Sequence, residues 1–220
     1  MPGIYPVALK LDGQLGVVVG GGTVALRKVC SLLEAGARVR LISPDLTGEL
    51  EEMRTQGLIE VILRPYHFGD VEGAFLVISA TNDPAVNREV ARDCTARQIL
   101  INSVDDPENC TFYVPATVRR GDLVIAISTG GQSPMLARKI RQRLERLYGP
   151  LYGRYLELIG EIRHNIVRSV QDTTEKEALL EALSGPEILE ALERGDSAML
   201  EELVDRVVRG FGFESPYSPA

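Results

Sequence analysis

An apolar, β-branched run that breaks into three glycines and then into helix-forming residues constrains this chain more than any other stretch: Leu15-Gly16-Val17-Val18-Val19-Gly20-Gly21-Gly22-Thr23-Val24-Ala25-Leu26-Arg27-Lys28. It reads as a strand, a tight turn and a helix. Gly20, Gly22 and Ala25 fit the spacing G-x-G-x-x-A, in which the first glycine permits the turn and the second lets backbone approach a diphosphate. The small third residue lets helix and strand pack closely. The diphosphate would face the unpaired N–H groups of the helix start, with Gly20, Gly21, Gly22, Thr23 and Val24 as the contacts. Glycines also make turns that bind nothing, so the flanking pattern has to carry the reading.

It does so through its order. Residues 23–36 read as a helix with Val24, Val29, Leu32 and Leu33 on one face, stopped by Gly36, and residues 37–42 as the next strand. Ser43, Pro44 and Asp45 follow about twenty residues after the glycines, where an acidic side chain would meet the adenosine ribose. Asp45 could equally start a helix over residues 47–56. Strands at 59–63, 75–79 and 100–102 continue the alternation, and Asp83-Pro84 opens a further helix with a cap and an N1 proline. Thr81, Asn82 and Asp83 then lie at the carboxyl end of a central strand, where open α/β sheets bind ligands. They also suit a plain polar turn.

Beyond residue 102 the pattern changes. Residues 110–114 and 122–128 read as two strands joined at Arg119-Arg120-Gly121, and Ser128-Thr129-Gly130-Gly131-Gln132-Ser133-Pro134 as a second glycine-rich turn into a helix. Ser133 would cap that helix, and either anion binding or capping accounts for the turn. The helix, about 135–148, carries Leu136, Ile140, Leu144 and Leu147 on one face. Another helix is expected over about 151–170. Although the chain from Gln171 onward holds twelve acidic and four basic residues, it keeps helical spacing, and Thr174 with Glu177 fits a capping box. The expected architecture is α/β: a Rossmann-like doubly wound parallel sheet over residues 1–113, a small α+β region over 114–149 and a helical domain over 150–220.

The net charge of −7 argues against general nucleic-acid binding. Between Arg119 and Arg146, however, seven basic residues stand against two acidic ones, an island that suits a polyanionic ligand or merely a solvated helix face. No apolar run is long enough to span a bilayer, the start lacks the pattern of a secretory signal, and a cytoplasmic protein is expected. Cys30, Cys94 and Cys110 suggest neither a disulfide framework nor a zinc site, and His67 and His164 read as packed or surface residues; any metal ligands stay unknown.

Asp105 and Asp106 are adjacent carboxylates directly after the last parallel strand, and could supply a general base or simply begin an Asp-Pro turn. With these residues in place, the chain resembles the siroheme-synthase-type precorrin-2 dehydrogenases, some of which are also sirohydrochlorin ferrochelatases. The resemblance rests on Tyr5-Pro6, the run from Val19 to Ala25 with Arg27-Lys28, Ala80-Thr81-Asn82-Asp83, Asn102-Ser103-Val104-Asp105 and the turn from Ser128 to Pro134, in that order over about residues 4 to 150. It implies NAD-dependent oxidation of precorrin-2 to sirohydrochlorin, with Asp105 as the catalytic carboxylate and ferrous iron as the substrate of a second step. It further implies a tetrapyrrole bearing eight carboxylates held by Arg119, Arg120, Ser128, Thr129, Gly130, Ser133, Arg138 and Lys139, and a homodimer in which 114–149 is the dimerisation region. Two departures stand out. Ser128-Thr129 replaces the Ser-Ser of related bifunctional enzymes, and the acidic helical end is unlike their methyltransferase. A dehydrogenase of a smaller acid and a non-catalytic NAD sensor are the competing readings.

Overall fold

The computed structural model describes residues 3–104, 106–169, 173–214 and 216, and the chain divides into two compact units, one up to Val114 and one from Pro115 onward. In the first, β1 (Leu15–Val19), α1 (Thr23–Glu34), β2 (Arg38–Ile42), α2 (Gly48–Thr55), β3 (Glu60–Ile62), β4 (Leu76–Ser79), α3 (Pro84–Ala96) and β5 (Leu100–Ser103) alternate as expected. The strands form one parallel sheet in the order β3-β2-β1-β4-β5. The chain therefore winds outward from β1 through β2 to β3 and crosses back to place β4 on the other side of β1, which leaves a crevice beyond the carboxyl ends of β1 and β4.

Strand alternation feeds two apolar layers. Val18, Leu41, Leu76 and Ile78 join Ala25, Val29 and Leu32 of α1 and Leu50 of α2 on one face. Val17, Val19, Ile42 and Val77 join Val90 and Cys94 of α3 on the other. Val17, Val18, Leu41 and Val77 have no exposed surface, as a sheet covered on both faces requires.

One expected strand is absent, for a local reason. Residues 110–114 do not form a ladder, because the contacts a strand would make with β5 are made largely by side chains. Ile101 N donates to Thr111 Oγ1 at 2.8 Å and Thr111 N returns a bond to Ile101 O at 2.8 Å. Asn102 Nδ2 donates to Phe112 O at 3.1 Å, and Ser103 N to Cys110 Sγ at 3.2 Å. Pro115 then interrupts the backbone donors, and the strand of the hairpin starts after it.

That hairpin belongs to the second unit: β6 (Ala116–Arg120) pairs antiparallel with β7 (Leu123–Ile127) around Gly121 and Asp122. Gly121 takes φ +56°, and a Cβ there would stand 3.3 Å from the backbone of Gly153, so the tip of the hairpin lies tight against α5 (Leu151–Ser169). Helices α4 (Pro134–Leu147), α6 (Thr173–Ala182), α7 (Pro186–Arg194) and α8 (Ser197–Gly210) complete the unit. Its core joins Leu151, Tyr152 and Tyr155 of α5 to Leu179, Leu183, Ile188, Leu192, Leu203 and Val204. Gly195 ends α7 in the left-handed conformation and Asp196 caps α8 through Met199 N, so the Gly-Asp pair supplies both signals. Because α6 begins at Thr173, Thr174 sits inside its first turn instead of capping it. The apolar face expected on α4 also behaves differently. Only Ala137 is buried on that helix, while Leu136 and Leu147 are each about half exposed, at 50% and 51%.

Candidate functional site: a glycine-floored cleft on the parallel sheet

The crevice between β1 and β4 is a cleft of about 570 Å³. Its floor is the glycine turn, its walls are Ser43, Pro44 and Asp45 after β2, Pro65 and Tyr66 after β3, and Thr81, Asn82 and Asp83 after β4. All eleven residues assigned to the cofactor from sequence therefore line one space.

The glycines divide the work. Gly20 has φ +115°, and a Cβ there would lie 2.5 Å from Ala80 O, so this position serves the crossing of β1 past β4. At Gly21 a Cβ would overlap Asp45 O at 1.9 Å, which lets the turn press against the loop after β2. Gly22 meets nothing within 4 Å and opens into the cleft. It is also the N-cap of α1, which has no side-chain cap bond and no acidic residue in its first turn. A helix start left in this state presents backbone N–H groups and a positive dipole end to an anion. The cradle thus fits a diphosphate.

On one side of the floor, Ser43 is buried and its hydroxyl donates to Asp45 O at 2.7 Å, which shapes the loop. Asp45 itself is exposed, and Thr47, not Asp45, occupies the N-cap position of α2. Of the two roles open to that carboxylate, the structure takes away the capping one. Among the described residues lining the cleft none is basic.

On the other side, Asp83 accepts from Ala85 N at 2.8 Å and Val86 N at 3.4 Å, and so caps α3 as its sequence suggests. The buried Asn87 of α3 ties the strand end together: the Ser79 and Thr81 hydroxyls each lie 2.7 Å from its Oδ1, and its Nδ2 donates to Thr81 O at 3.2 Å.

Pro65 and Tyr66 were not foreseen as cleft residues. Their placement depends on a bond between residues 27 apart: Tyr66 donates from its hydroxyl to Asp93 Oδ2 at 2.6 Å. The available signal was position, since Pro65-Tyr66-His67-Phe68 follows β3 on the ligand side of the sheet. The loop is closed by Asp70, which accepts from Arg64 Nη1 and Nη2 at 2.7 and 2.8 Å and from His67 N at 2.8 Å. The Arg64 guanidinium is the main cause that holds the Asp70 carboxyl below the ordinary carboxylate value; burial opposes it.

Asp105 lies outside the described residues. Its neighbours are held: Val104 N donates to Ser79 O at 2.8 Å, and Cys110 Sγ lies 3.3 Å from Asp106 O. Burial raises the Cys110 thiol pKa above its usual value, so the group stays an S–H that binds backbone. Among the described residues no three or more His, Cys, Asp or Glu gather to hold a metal, and both His67 and His164 are exposed.

In the second unit the residues assigned to a polyanion fall into two groups. Arg119, Arg138 and Lys139 are exposed. Arg120 instead donates to Tyr148 O at 2.8 Å and Glu145 O at 3.0 Å, satisfying carbonyls at the end of α4. In the turn before α4, Ser128 Oγ accepts Gly130 N, Thr129 Oγ1 accepts Ser133 N and Ser133 Oγ accepts Leu136 N, each at 3.2 Å. A threonine hydroxyl performs the second of these as a serine would, so the departure at Thr129 leaves the turn intact.

A parallel sheet wound on both faces, with a glycine-floored cleft at its switch point, defines a Rossmann-type dinucleotide-binding fold. Residues 7–116 match the family described as "Putative NAD(P)-binding" and residues 120–147 match the central domain of sirohaem biosynthesis proteins; the chain belongs to this NAD(P)-binding family of siroheme-synthase type. It is 40% identical over 205 residues to siroheme synthase of Pseudomonas aeruginosa (strain LESB58), and 37% identical over 204 residues to that of Thioalkalivibrio sulfidiphilus. In each case 93% of this chain is covered but only 44% and 42% of the relative, so the chain spans less than half the length of these curated relatives. Among solved structures it is similar to SirC, a precorrin-2 dehydrogenase, with a TM-score of 0.77 and 29% identity over 94% of this chain and 100% of that one. No helix among the described residues is long and apolar enough to cross a membrane.

Proposed function

We propose that the protein oxidises precorrin-2 to sirohydrochlorin with NAD. The observation that carries this reading is the opening at Gly22, where the cleft meets an uncapped helix start in a chain whose fold runs the full length of a precorrin-2 dehydrogenase. When bound, NAD supplies the hydride acceptor. The chain's own residues do the rest. Gly20, Gly21, Gly22, Thr23 and Val24 cradle the diphosphate, and Thr81, Asn82 and Asp83 line the side of the cleft formed by β4. Asp45 accepts hydrogen bonds from the adenosine ribose hydroxyls. An exposed carboxylate there, with no basic side chain among the described residues that line the cleft, disfavours a 2′-phosphate and supports NAD over NADP.

Asp105 follows the last parallel strand and takes the proton released as the hydride leaves. The same carboxylate would assist insertion of ferrous iron, a substrate of the second step, by removing pyrrole protons. Arg119, Arg138 and Lys139 offer cations for the substrate carboxylates, and Arg120 and the Ser128–Ser133 turn shape the surface that carries them. The outward apolar residues of α4 support a homodimer with 114–149 as its contact region, and soluble, cytoplasmic work fits a water-borne substrate.

Incubation of purified protein with precorrin-2 and NAD tests the reading through the absorption spectrum of sirohydrochlorin. Asp105→Ala is expected to keep NAD affinity and to lose about a hundredfold or more in turnover, the usual scale for a general base. Absence of the product chromophore with the unaltered protein would overturn the dehydrogenase. Full turnover by Asp105→Ala would overturn the assignment of its base. Iron insertion is read separately, from sirohydrochlorin and ferrous iron without NAD.

A further inference from the structure

Asp93 has no exposed surface, yet it carries a carboxyl group, and it lies on α3, behind the cleft rather than in it. Burying a carboxylate is costly unless its oxygens are met by donors and a cation. Here Oδ2 accepts the Tyr66 hydroxyl at 2.6 Å and Gly69 N at 2.5 Å, while Oδ1 is met by charge alone, in an ion pair with Arg97 Nη1 at 2.7 Å. Arg97 in turn lies 5.2 Å over the ring of Phe68. Every partner except Arg97 sits on the single loop between β3 and β4, and Arg97 reaches that loop through Phe68.

Packing alone would not call for such an arrangement. A loop of this length between successive strands usually moves, and Tyr66 could fill the second core layer as a phenylalanine. The carboxylate instead fixes the height and rotation of the Tyr66 ring, and with it Pro65, both of which line the cleft on the same side as Ser43, Pro44 and Asp45, since they follow the adjacent strands β3 and β2. That end of the cleft is the one where the proposed reading sets Asp45 against a ribose, so the flat wall beside it would meet the adjoining heterocycle.

We infer that Asp93 is a positioning residue which, through Tyr66, holds the wall that receives the adenine end of a dinucleotide. The inference rests on the NAD reading above. α3 then sets both flanks of the cleft from one element, through Asn87 at the β4 side and Asp93 at the β3 side.

The test is a set of binding titrations on the full chain, with NAD, ADP and inorganic pyrophosphate as ligands. Tyr66→Phe deletes only the hydroxyl, and Asp93→Asn keeps the size of the carboxylate while removing its charge. Both are expected to weaken NAD and ADP binding about five- to tenfold, whereas pyrophosphate, which needs the glycine cradle alone, binds as before. The double variant should lose little more than either single one, because both act through the same bond. Should Asp93→Asn fail to fold, Tyr66→Phe decides alone. ADP affinity within twofold of the unaltered protein in Tyr66→Phe would overturn the inference, as would an equal loss for ADP and pyrophosphate. Failure of the unaltered protein to bind NAD at all would instead overturn the cofactor reading itself, and the inference with it.

Discussion

At the scale of single residues, the three consecutive glycines make opposite demands on substitution. Gly20→Ala must relieve a Cβ at 2.5 Å from Ala80 O and a φ of +115°, and backbone cannot step aside as a side chain tip can. Gly22→Ala meets open space. The expected outcome is that Gly20→Ala lowers the melting temperature by several degrees, the effect of about 1–3 kcal/mol of strain. Gly22→Ala should melt like the unaltered protein yet bind NAD about tenfold more weakly, because its methyl group stands in the space assigned to the diphosphate. Thermal denaturation beside calorimetric titration separates the two. If Gly22→Ala bound NAD normally, the diphosphate would have to lie elsewhere.

Among the elements, the loop from Arg64 to Asp70 is the one whose stability should follow pH. The Asp70 carboxyl is held below its ordinary value of 3.8 when folded, so it contributes stability above the unfolded value and loses that contribution as pH falls through the folded one. Asp70→Asn should therefore be less stable than the unaltered protein near neutrality, with the difference shrinking as the pH is taken below about 4. Denaturant titrations at neutral and acidic pH measure it, and a difference that grew with acid would contradict the assignment. The elements also show what sequence can and cannot disclose. Asp83 as the cap of α3 and Ser133 with Pro134 at the start of α4 were legible because each is satisfied within four residues. The strand expected at 110–114 was not, since Thr111 and Cys110 have strand-forming composition but spend side-chain atoms on β5. The sequence does not disclose Tyr66 as a cleft residue for a related reason: its hydroxyl is held by Asp93, a carboxylate far along the chain. Asp105 was legible as a residue type in a motif, and lies outside the described residues.

For the whole molecule, amphipathic spacing identified α4 as a helix with an apolar face but could not say what covers it. Leu136, Ile140 and Leu147 remain a third to a half exposed within the chain, and apolar residues in such a row commonly mark an interface. With homodimerisation proposed through this region, Leu136→Glu combined with Leu147→Glu is expected to convert a dimer into a 24.1 kDa monomer, read by sedimentation equilibrium. An unaltered protein that already sediments at the monomer mass would remove the dimer from the proposal. The stitching of residues 110–112 onto β5 bears on association as well. β5 is one of the two outer strands of the five, and an unpaired outer strand is a template on which other chains can add themselves. Thr111 and Cys110 occupy the backbone groups of Ile101 and Ser103 that a stray strand would need, so the sheet is sealed against runaway stacking at that rim without the length of a sixth strand.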